Sequence, residues 1–524
     1  MAGSQCPLCD PANQTGGACM NLLSRLGELS RENTDNTAII YDKQFLTYGQ
    51  LWRNILGFAS GLKVLGLPLG GRVLVMLGNC PEFVTSYYGI VAAGGIIVPV
   101  NPIYTANEVG IILQDADPFA VVTNEKLAPL IEIALTANQM PSRPIIMIRA
   151  GETGAENLYA FDDLVKTQIS KDLDVEQRDN RVIEFLYTSG TTGLPKGAML
   201  THDNLYSNTK IFAEMTEMSS KDRALLSAPA YHAAAQTCVL NNTLYAGATL
   251  VIHDGWQGAE TVLRSFQDDK ITFFFGPPTM YTFIVNSPAV KEYDCSSMRV
   301  AFTGAASLPA EIFRRFKEIF GFEIMEGYGL SETSPVVTTN PLHGIKKSAS
   351  IGPKIPGVKV KIFNLEDQEL PCGEIGEIVV QGPNVMKGYY NRPEETAHAM
   401  RNGWFHTGDL AYMDEDGYVF IVDRIKDLII RGGMNIYPRE VEEMLYTHPA
   451  IMESAVIGVP DDVMGEEVKA YIVLKDGMTA TELEVREYCM ARLAKYKAPK
   501  YIEFVTALPK TTTGKILKRE LRKQ

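Results

Sequence analysis

The stretch Tyr187–Gly197, which reads Y-T-S-G-T-T-G-L-P-K-G, decides how the rest of the chain is interpreted. It continues the apolar run Val182–Tyr187, which is typical of a short buried strand. Glycines let successive backbone N–H groups turn toward one centre, while hydroxyls add donors and a lysine adds positive charge. The stretch therefore predicts a loop that binds a polyphosphate. The residues that supply these groups are Thr188, Ser189, Gly190, Thr191, Thr192, Gly193 and Lys196.

Two other interpretations of this stretch are weaker. It is not the G-x-x-x-x-G-K-[ST] loop, because Pro195 stands where the second glycine should be and Gly197 follows the lysine. Clusters of glycine, serine and threonine ordinarily form plain surface loops. The eleven residues 187–197 stand in this order directly after a predicted strand, which favours phosphate binding over an ordinary loop.

Length and charge narrow the class of protein. A chain of 524 residues exceeds the roughly 250–300 at which single cores stop growing, so two or more domains are expected. The net charge of −13 argues against a nucleic-acid partner that is held by phosphate contacts. Residues 495–524 nevertheless carry nine Lys or Arg against two Glu. Because apolar residues are interleaved there, a folded element that faces phosphate is favoured over a disordered arm.

The cysteines and the N-terminus indicate a cytoplasmic protein. The eight cysteines have no spacing typical of a disulfide framework. Cys6, Cys9 and Cys19 could begin a metal site, but neither a second C-x-x-C pair nor a nearby histidine completes it. The first residues lack the basic and apolar regions of a secretory signal. Residues 83–107 carry almost no charge, but Gly and Pro interrupt them, so we expect core rather than a membrane segment.

The order of elements predicts an α/β fold. Short apolar runs alternate with helical patterns over residues 72–180 and again after the phosphate loop, which predicts βαβ units and a largely parallel sheet. Beyond about 345 the pattern changes to strands punctuated by glycine, which predicts a β-rich subdomain. A small α+β module follows Arg424-Ile425-Lys426. We therefore predict a large domain over 1–424 and a small, mobile C-terminal domain over 425–524.

Five further segments follow the phosphate loop in order. Taken alone, a glycine turn, a turn aspartate or an exposed lysine is ordinary. Taken together, these segments and the phosphate loop resemble the motifs of the adenylate-forming superfamily, which includes acyl-CoA synthetases, adenylation domains of peptide synthetases and firefly luciferase. The segments are Gly304–Leu308, Glu326–Thr333, Trp404–Asp409, Asp423–Asp427 and Pro509–Lys515.

This resemblance, which covers essentially the whole chain, implies a role for each motif. Glu332 would hold Mg²⁺ beside the phosphates, as a hard oxygen ligand can. Asp409 and Arg424 would bind the ribose, and Lys426 would be the hinge of the C-terminal domain. Lys515 would bridge the substrate carboxylate and the α-phosphate during adenylation. The motifs that would contact the adenine and the adenylate contain Gly304, Ala305, Ala306, Glu326, Gly327, Tyr328, Gly329 and Thr333.

The implied reaction brings two anions together, so positioning and neutralisation of charge must do most of the work. Thr188, Lys196, Glu332 with Mg²⁺, and Lys515 would supply them. Gly432 and Gly433 resemble the loop that lines the pantetheine tunnel of CoA ligases, where glycine lets a thin thiol arm pass the backbone. The resemblance thus implies that ATP, CoA and a carboxylic acid are the substrates, and a free-standing ligase is favoured over a peptide-synthetase module.

The acid is the least determined part. The resemblance places an acyl pocket at His232, Ala234, Gly304, Gly329, Pro335 and Val336. His232 would be a gating residue, although a buried structural histidine is the plain alternative. Ala234 cannot hold a ring hydroxyl as tyrosine does in aryl-acid ligases, so small residues there predict a roomy apolar pocket. A medium- or long-chain fatty acid is favoured.

Three rivals stay open. An aryl acid such as a cinnamate is the close alternative as substrate, and a luciferase-like or other adenylate-forming enzyme that does not use CoA shares the first step. A binding module that only senses nucleotide would need to have lost Lys515 or Glu332, yet both are present. The oligomeric state is undetermined, and a homodimer is allowed.

Overall fold

The computed structural model describes residues 21–149, 157–171, 173, 180–189, 195–510 and 516–523. Eight residues of the sequence-based predictions lie outside this part of the chain. These are Cys6, Cys9, Cys19, Gly190, Thr191, Thr192, Gly193 and, near the C-terminus, Lys515.

A first sheet carries the strand that leads into the phosphate loop. Two hairpin strands come first along the chain, β1 Thr37–Tyr41 and β2 Gln44–Thr47. The next seven are β3 Arg72–Val75, β4 Ile96–Pro99, β5 Ala120–Asn124, β6 Ile145–Ile148, β7 Leu158–Ala160, β8 Val182–Ser189 and β9 Pro195–Thr201. These seven form one sheet in the order β7-β6-β5-β3-β4-β8-β9, which is parallel except for the antiparallel β8–β9 pair. The predicted parallel sheet over residues 72–180 is confirmed.

A second sheet has eight strands in the order β15-β14-β13-β12-β10-β11-β1-β2. Its later strands are β10 Arg223–Leu226, β11 Thr249–Ile252, β12 Phe273–Phe275, β13 Val300–Thr303, β14 Met325–Gly329 and β15 Val336–Thr339. The strands from β1 to β14 in this order pair in parallel. The carboxyl ends of parallel strands meet at one edge, so the turn after β13 and the end of β14 lie together.

The remaining strands form two smaller sheets. β16 Lys359–Phe363, β17 Gly376–Gln381, β18 Phe405–Met413 and β19 Val419–Arg424 make an antiparallel sheet. The last sheet contains β20 Ile429–Arg431, β21 Met434–Ile436, β22 Ile451–Asp461, β23 Gly465–Leu474 and β24 Tyr501–Phe504. The β-rich subdomain and the small α+β module are both confirmed.

Helices cover the sheets and connect their strands. They are α1 Leu22–Glu32, α2 Tyr48–Val64, α3 Pro81–Ala92, α4 Ala106–Ala116, α5 Ala128–Ala137, α6 Phe161–Val165, α7 His202–Met215, α8 Ala233–Ala235, α9 Asn242–Tyr245, α10 Ala259–Asp268, α11 Pro278–Asn286, α12 Ala310–Phe320, α13 Pro393–Ala399, α14 Pro438–Tyr446, α15 Glu482–Met490 and α16 Lys518–Leu521. A π-helix, Gln236–Asn241, joins α8 to α9. Short 3₁₀ helices lie at Pro288–Lys291, Ser331–Thr333, Arg401–Gly403 and Ile425–Asp427.

Residues 83–100 form core, as expected, whereas Ile103, Thr105 and Asn107 of the same uncharged stretch are exposed. Every residue of α3 from Phe83 to Ala92 is buried, and so are all four residues of β4. Among the described residues, none of the helices combines the length and the apolar character that crossing a bilayer requires.

Four clusters of buried apolar side chains form the cores. Two of them draw on residues 22–421, and the other two draw on residues 429–521. The division of the cores falls at the 3₁₀ helix Ile425–Asp427, between β19 and β20. The predicted boundary at 424–425 coincides with this division and stays a prediction.

Candidate active site

The β8–β9 hairpin positions two of the predicted phosphate ligands. Thr188 on β8 lies opposite Lys196 on β9 in the antiparallel register, at the end of the hairpin that leads into residues 190–194. Lys196 is buried, with its Nζ 4.0 Å from Glu395 Oε1 and 5.5 Å from the centre of the Tyr389 ring. The hairpin therefore presents a hydroxyl and an ammonium group side by side.

Glu332 lies against the same hairpin, in the 3₁₀ helix after β14. Its Oε1 accepts hydrogen bonds from Thr188 Oγ1 at 3.4 Å and from the Tyr389 hydroxyl at 2.9 Å. Burial and the neighbouring Glu332 carboxylate raise the pKa of Tyr389, so this phenol remains a donor. Tyr389 was not predicted, because no local pattern marks a tyrosine 57 positions after Glu332 as its partner.

The protein groups at Glu332 fit Mg²⁺ only if phosphate oxygens of the substrate complete the coordination of the ion. Among the residues that the structure describes, no group of three or more His, Cys, Asp or Glu side chains could hold a metal ion. Mg²⁺ commonly takes one or two protein carboxylates and completes its shell with phosphate oxygens and water. A single carboxylate beside the phosphate hairpin suits that arrangement.

Asp409, near the middle of β18, joins two other predicted residues. Its Oδ2 accepts the Tyr328 hydroxyl at 2.6 Å, and its Oδ1 lies 3.0 Å from Arg424 Nε. Burial and then the Asp409 carboxylate raise the pKa of Tyr328, while the same carboxylate raises the pKa of Arg424. The three side chains come from β14, β18 and β19, so the tertiary fold brings the predicted adenine and ribose motifs together.

Close backbone approach explains the small residues of the adenine motifs. A Cβ on Gly304 would lie 3.0 Å from the Gly327 carbonyl oxygen, and one on Gly329 would lie 1.9 Å from the Pro335 carbonyl oxygen. Ala305 has φ +68°, and both Ala305 and Ala306 are exposed at the turn after β13. Thr333 is buried, and its hydroxyl accepts the backbone N–H of Leu330. The glycines thus let neighbouring strands approach closely at this edge of the sheet.

The Glu326 side chain is hydrogen-bonded to the turn between β13 and α12. Its Oε1 accepts the backbone N–H of Leu308 at 3.2 Å. Burial raises the pKa of Glu326 to about 7, against the opposing effect of Arg439 in the C-terminal module. The carboxyl group supports the turn rather than pointing to solvent, since only 4% of the residue is exposed.

The predicted acyl residues lie in two places, at the start of α8 and along the β14–β15 pair. His232 caps α8, where its Nδ1 accepts the backbone N–H of Ala234 at 3.4 Å. Gly329 pairs with Val336 between β14 and β15, and Asn208 on α7 holds both backbone groups of Val336. A small cavity of about 10 Å³ has walls of Ala228, Pro229, His232, Ala235, Phe275, Pro277 and Ala305.

The structure therefore groups the predicted acyl residues in two sets. His232 is the one predicted acyl residue in the cavity wall, whereas Pro335 and Val336 are buried where β15 begins. The hydroxyl of Thr237 donates to the carbonyl oxygen of Ser334 at 3.0 Å, which links the π-helix to the segment before Pro335.

The predicted hinge and CoA residues lie in the C-terminal module. Lys426 is in the 3₁₀ helix between the two domains, where burial and the charge of Arg424 lower its pKa. Gly432 and Gly433 form the turn of the β20–β21 hairpin with φ +56° and +80°. A Cβ on Gly433 would meet no atom within 4 Å, so this turn is open.

Arg439 at the start of α14 links the module to β19 and was not predicted. Its backbone N–H donates to Asp423 Oδ2 at 2.9 Å, and its Nη1 donates to the Ile421 carbonyl oxygen at 2.8 Å. Arg439 also faces Glu326 across the boundary. The sequence carried no signal for this contact, which exists only when the two modules meet.

Sequence comparison places relatives across the whole chain. The AMP-binding enzyme family matches residues 28–390, and the AMP-binding enzyme C-terminal domain matches residues 440–515. A long-chain-fatty-acid–CoA ligase of Bacillus subtilis (strain 168) is 40% identical over 95% of this chain and 94% of its own length. A feruloyl-CoA synthase of Amycolatopsis sp. is 39% identical over 94% of this chain and 97% of its own length.

Solved structures are also similar to this chain over nearly its whole length. ATP-bound MatB from Rhodopseudomonas palustris is 34% identical, with a TM-score of 0.87 over 96% of this chain and 99% of that chain. The anthranilate CoA ligase AuaEII in complex with anthranoyl-AMP is 28% identical, with a TM-score of 0.89 over 97% of each chain. The phosphate hairpin, the Asp409 cluster and these similarities lead to one conclusion: the chain belongs to the AMP-binding enzyme family, as an AMP-forming acyl-CoA synthetase.

Proposed function

We propose that this acyl-CoA synthetase activates a medium- or long-chain fatty acid. The observation that carries the proposal is the composition of the cavity beside His232. Apart from His232 itself, its wall consists of alanine, proline and phenylalanine side chains, which suit an alkyl chain. The cavity holds only about 10 Å³ rather than the room that the sequence predicts, so an acyl chain would have to move its walls apart, and Ala234 beside the wall is half-buried. The long-chain-fatty-acid–CoA ligase of Bacillus subtilis supports the same substrate class.

In the first half-reaction, the carboxylate of the acid would attack the α-phosphate of ATP, and pyrophosphate would leave. We assign Thr188 and Lys196 to the phosphates because the hairpin register holds them next to each other. Ser189, Gly190, Thr191, Thr192 and Gly193 would supply the other donors. Lys515 would neutralise charge between the carboxylate and the α-phosphate, which such a reaction between two anions requires.

Glu332 would hold Mg²⁺ at the phosphates, where the ion would neutralise charge on the pyrophosphate. The Tyr389 hydroxyl and Thr188 orient the Glu332 carboxylate toward the hairpin. Asp409 would accept the ribose hydroxyls, while Tyr328 and Arg424 keep its carboxylate in place. Each carboxylate is therefore oriented by two donors before substrate binds.

In the second half-reaction, the CoA thiol would displace AMP from the acyl-adenylate. The open turn at Gly432 and Gly433 would line the path of the pantetheine arm after the C-terminal domain, residues 425–524, rotates about Lys426. The division of the cores at residues 425–427 supports this hinge, because each side keeps its own buried cluster.

An aryl acid is the second candidate substrate. The feruloyl-CoA synthase of Amycolatopsis sp. is nearly as similar as the fatty-acid ligase, and it supports an aromatic acid. Phe275 in the cavity wall could also pack against a ring. Both candidate acids would be activated by the same adenylation chemistry. They differ only in the group that the acyl pocket must hold.

A pyrophosphate-release screen separates the two candidates. Purified protein would be given ATP, Mg²⁺ and CoA with saturated acids of two to eighteen carbons, and in parallel with benzoate, cinnamate and ferulate. We expect the largest kcat/KM with an acid of eight or more carbons and CoA-dependent thioester by mass spectrometry. A larger kcat/KM with ferulate would replace the fatty acid by the aryl acid. Adenylate without thioester would remove CoA from the reaction.

Two further assignments stay proposals. The described cysteines Cys80, Cys238, Cys295, Cys372 and Cys489 are free thiols, which supports a reducing compartment such as the cytoplasm. A homodimer is the assembly that we would test first, because symmetric pairs are the commonest soluble oligomers.

A further inference from the structure

Glu184 is a completely buried carboxyl group that none of the roles above uses. It lies in the middle of β8, four residues before Thr188, and 0% of it is exposed. Its neighbours in the sequence are apolar, so a leucine or an alanine would be the ordinary choice for this position. A buried carboxyl group without partners costs several kcal/mol, so its surroundings must compensate.

Its surroundings form a hydrogen-bonded chain of buried side chains, in which Gln236 Oε1 is left without a partner. Gln236 Nε2 donates to Glu184 Oε1 at 2.8 Å, and the Tyr87 hydroxyl donates to Glu184 Oε2 at 3.3 Å. Asn241 Nδ2 donates to the Tyr87 oxygen at 3.3 Å, and the Tyr88 hydroxyl donates to Asn241 Oδ1 at 2.9 Å. At most 2% of any of these five residues is exposed. The network joins three elements: β8, α3 and the π-helix.

The two ends of the network lie next to the two halves of the active site. Glu184 and Thr188 are on the same face of β8, because side chains alternate along a strand. Gln236 directly follows Ala235, which lines the acyl cavity together with His232. The Glu184–Gln236 hydrogen bond is therefore a direct side-chain link between the phosphate strand and the wall of the acyl cavity.

The two elements that this hydrogen bond joins, β8 and the π-helix, are not held equally well by backbone hydrogen bonds. A ladder of backbone hydrogen bonds to β9 holds β8 from Val182 to Ser189. The π-helix has a rare and weaker backbone geometry, which occurs often at functional sites. Its first and last residues, Gln236 and Asn241, are fixed by the side-chain network. If the link is lost, we expect the π-helix to shift while β8 stays.

We propose that Glu184 is a positioning residue for the acid substrate, which anchors the π-helix to β8 and so sets the acyl wall at the correct distance from the phosphate strand. The inference rests on the proposed function, since it requires that the wall contacts the acid. Loss of the anchor should raise the KM for the acid and leave the KM for ATP nearly unchanged.

The charge state of Glu184 gives a second signature. Burial raises its pKa to about 8, although the hydrogen bonds from Gln236 and Tyr87 oppose the shift. The titratable groups that face the network are Tyr87 and Tyr88, and burial raises the pKa of both. Glu184 is therefore mainly neutral at pH 7 and ionises as the pH passes 8. No cation in the described part of the chain contributes to this pKa, so we expect the anchor to loosen above that pH.

The test compares three variants with the wild-type enzyme. Glu184→Leu removes the hydrogen bonds at similar volume. Glu184→Gln removes the charge, keeps one acceptor oxygen for Gln236 and presents an amide donor to the Tyr87 oxygen. Asp222→Asn is the matched control, since Asp222 is a buried carboxyl that pairs with Arg299 at the opposite edge of the second sheet. The measured quantities are Tm, the KM for the acid and the KM for ATP, each between pH 6.5 and 9.

We expect Glu184→Leu to raise the KM for the acid about tenfold, as small misplacements of a substrate do, with the KM for ATP within about twofold. Glu184→Gln should stay within about twofold of wild type at pH 7 and should lose the rise in acid KM above pH 8. Asp222→Asn should lower Tm without changing the KM for the acid. Two results would overturn the proposal. One is the same KM for the acid in Glu184→Leu as in Asp222→Asn when the two variants have the same Tm. The other is an equal rise in the KM for the acid and the KM for ATP in Glu184→Leu.

A binding measurement keeps this test separate from the proposed function. An inert acyl-sulfamoyl adenosine and AMP alone would be titrated into wild type and both Glu184 variants by calorimetry. The proposal expects Glu184→Leu to lose affinity for the acyl compound and to keep its affinity for AMP. If the wild type binds both ligands but turns over no acid, the proposed function fails while the role of Glu184 is still decided. If Glu184→Leu does not fold, the pH response of Glu184→Gln decides it.

Discussion

The nucleotide half and the acyl half of this active site are built on different principles. On the nucleotide side, each carboxylate has donors that hold it: Glu332 has Thr188 and Tyr389, and Asp409 has Tyr328 and Arg424. On the acyl side, apolar side chains form the wall, and the hydrogen bonds lie behind it, at Glu184. The first half is rigid through its own polar contacts, whereas the second depends on a support that the substrate does not touch.

This difference in construction separates the residues proposed for the shared adenylation chemistry from those proposed to select the acid. Phosphate and ribose present fixed charges and hydroxyls, so the donors that meet them must be placed accurately. An alkyl or aryl group asks only for volume and shape, which small residues and a positioned helix supply. The two similar relatives, one named for a long-chain fatty acid and the other for ferulate, differ in the acid that they use.

The largest effect is expected on the nucleotide half from Lys515→Ala. Loss of one preorganised charge at the α-phosphate should slow adenylation by about 10²–10³-fold. Thioester formation from supplied acyl-adenylate should continue. Pyrophosphate exchange measures the first step and CoA consumption the second. Lys510→Ala is the control, because Lys510 pairs with Glu453 in the same segment. Equal loss of both steps would contradict the role of Lys515.

The next largest effect is expected from Asp409→Asn. The variant should raise the KM for ATP by roughly ten- to a hundredfold, because a hydrogen bond to a charged group is worth about 1.5–3 kcal/mol. The KM for the acid should change little, since Asp409 is not among the residues that line the acyl cavity. Steady-state kinetics with each substrate varied gives both constants. Asp414→Asn, which removes a surface pair with Lys347, should leave both unchanged. A larger effect on the acid would contradict the separation of the two halves.

A smaller and selective effect is expected from Ala234→Tyr on the acyl half. The larger side chain beside His232 should reduce kcat/KM for long acids by about tenfold while short acids are kept, because overpacking a fixed wall costs about 1–3 kcal/mol. A chain-length series of acids measures it. Ala259→Tyr adds the same side chain at another half-buried site on the same core. An unchanged chain-length profile would place the pocket elsewhere.

The smallest effect is expected in the pH dependence of stability from Glu326→Gln. The folded protein holds this proton up to about pH 7, whereas the unfolded chain releases it near 4.5. The stabilising contribution is therefore present below pH 4.5 and is lost as the pH rises through 7. Between pH 5 and 8, wild type should lose roughly 2–4 °C more in Tm than Glu326→Gln. Calorimetric scans measure the slopes, with exposed Glu311→Gln as control. Parallel slopes for wild type and Glu326→Gln would refute it.

Most of the fold could be predicted from the sequence, because local patterns dictate local structure. The apolar run at Val182 forms β8, and a capping box of Thr47 and Gln50 opens α2. The glycine turn after β13 was likewise marked by residue type, whereas the strand Met325–Gly329 was not predicted. Each of these signals involves residues within a few positions of one another, where backbone preference and side-chain spacing act directly.

By itself, the sequence determined the order of the motifs and with it the family, and it predicts Lys196, Glu332, Asp409 and Arg424 as site residues. Only the tertiary structure decided that Tyr389 holds Glu332, that Arg439 meets β19, and that Glu184 links β8 to the π-helix. The partners of Glu184 lie 97 and 52 positions away along the chain. The physical reason is that buried hydrogen bonds are satisfied across space, and a local pattern records only the residue that needs a partner.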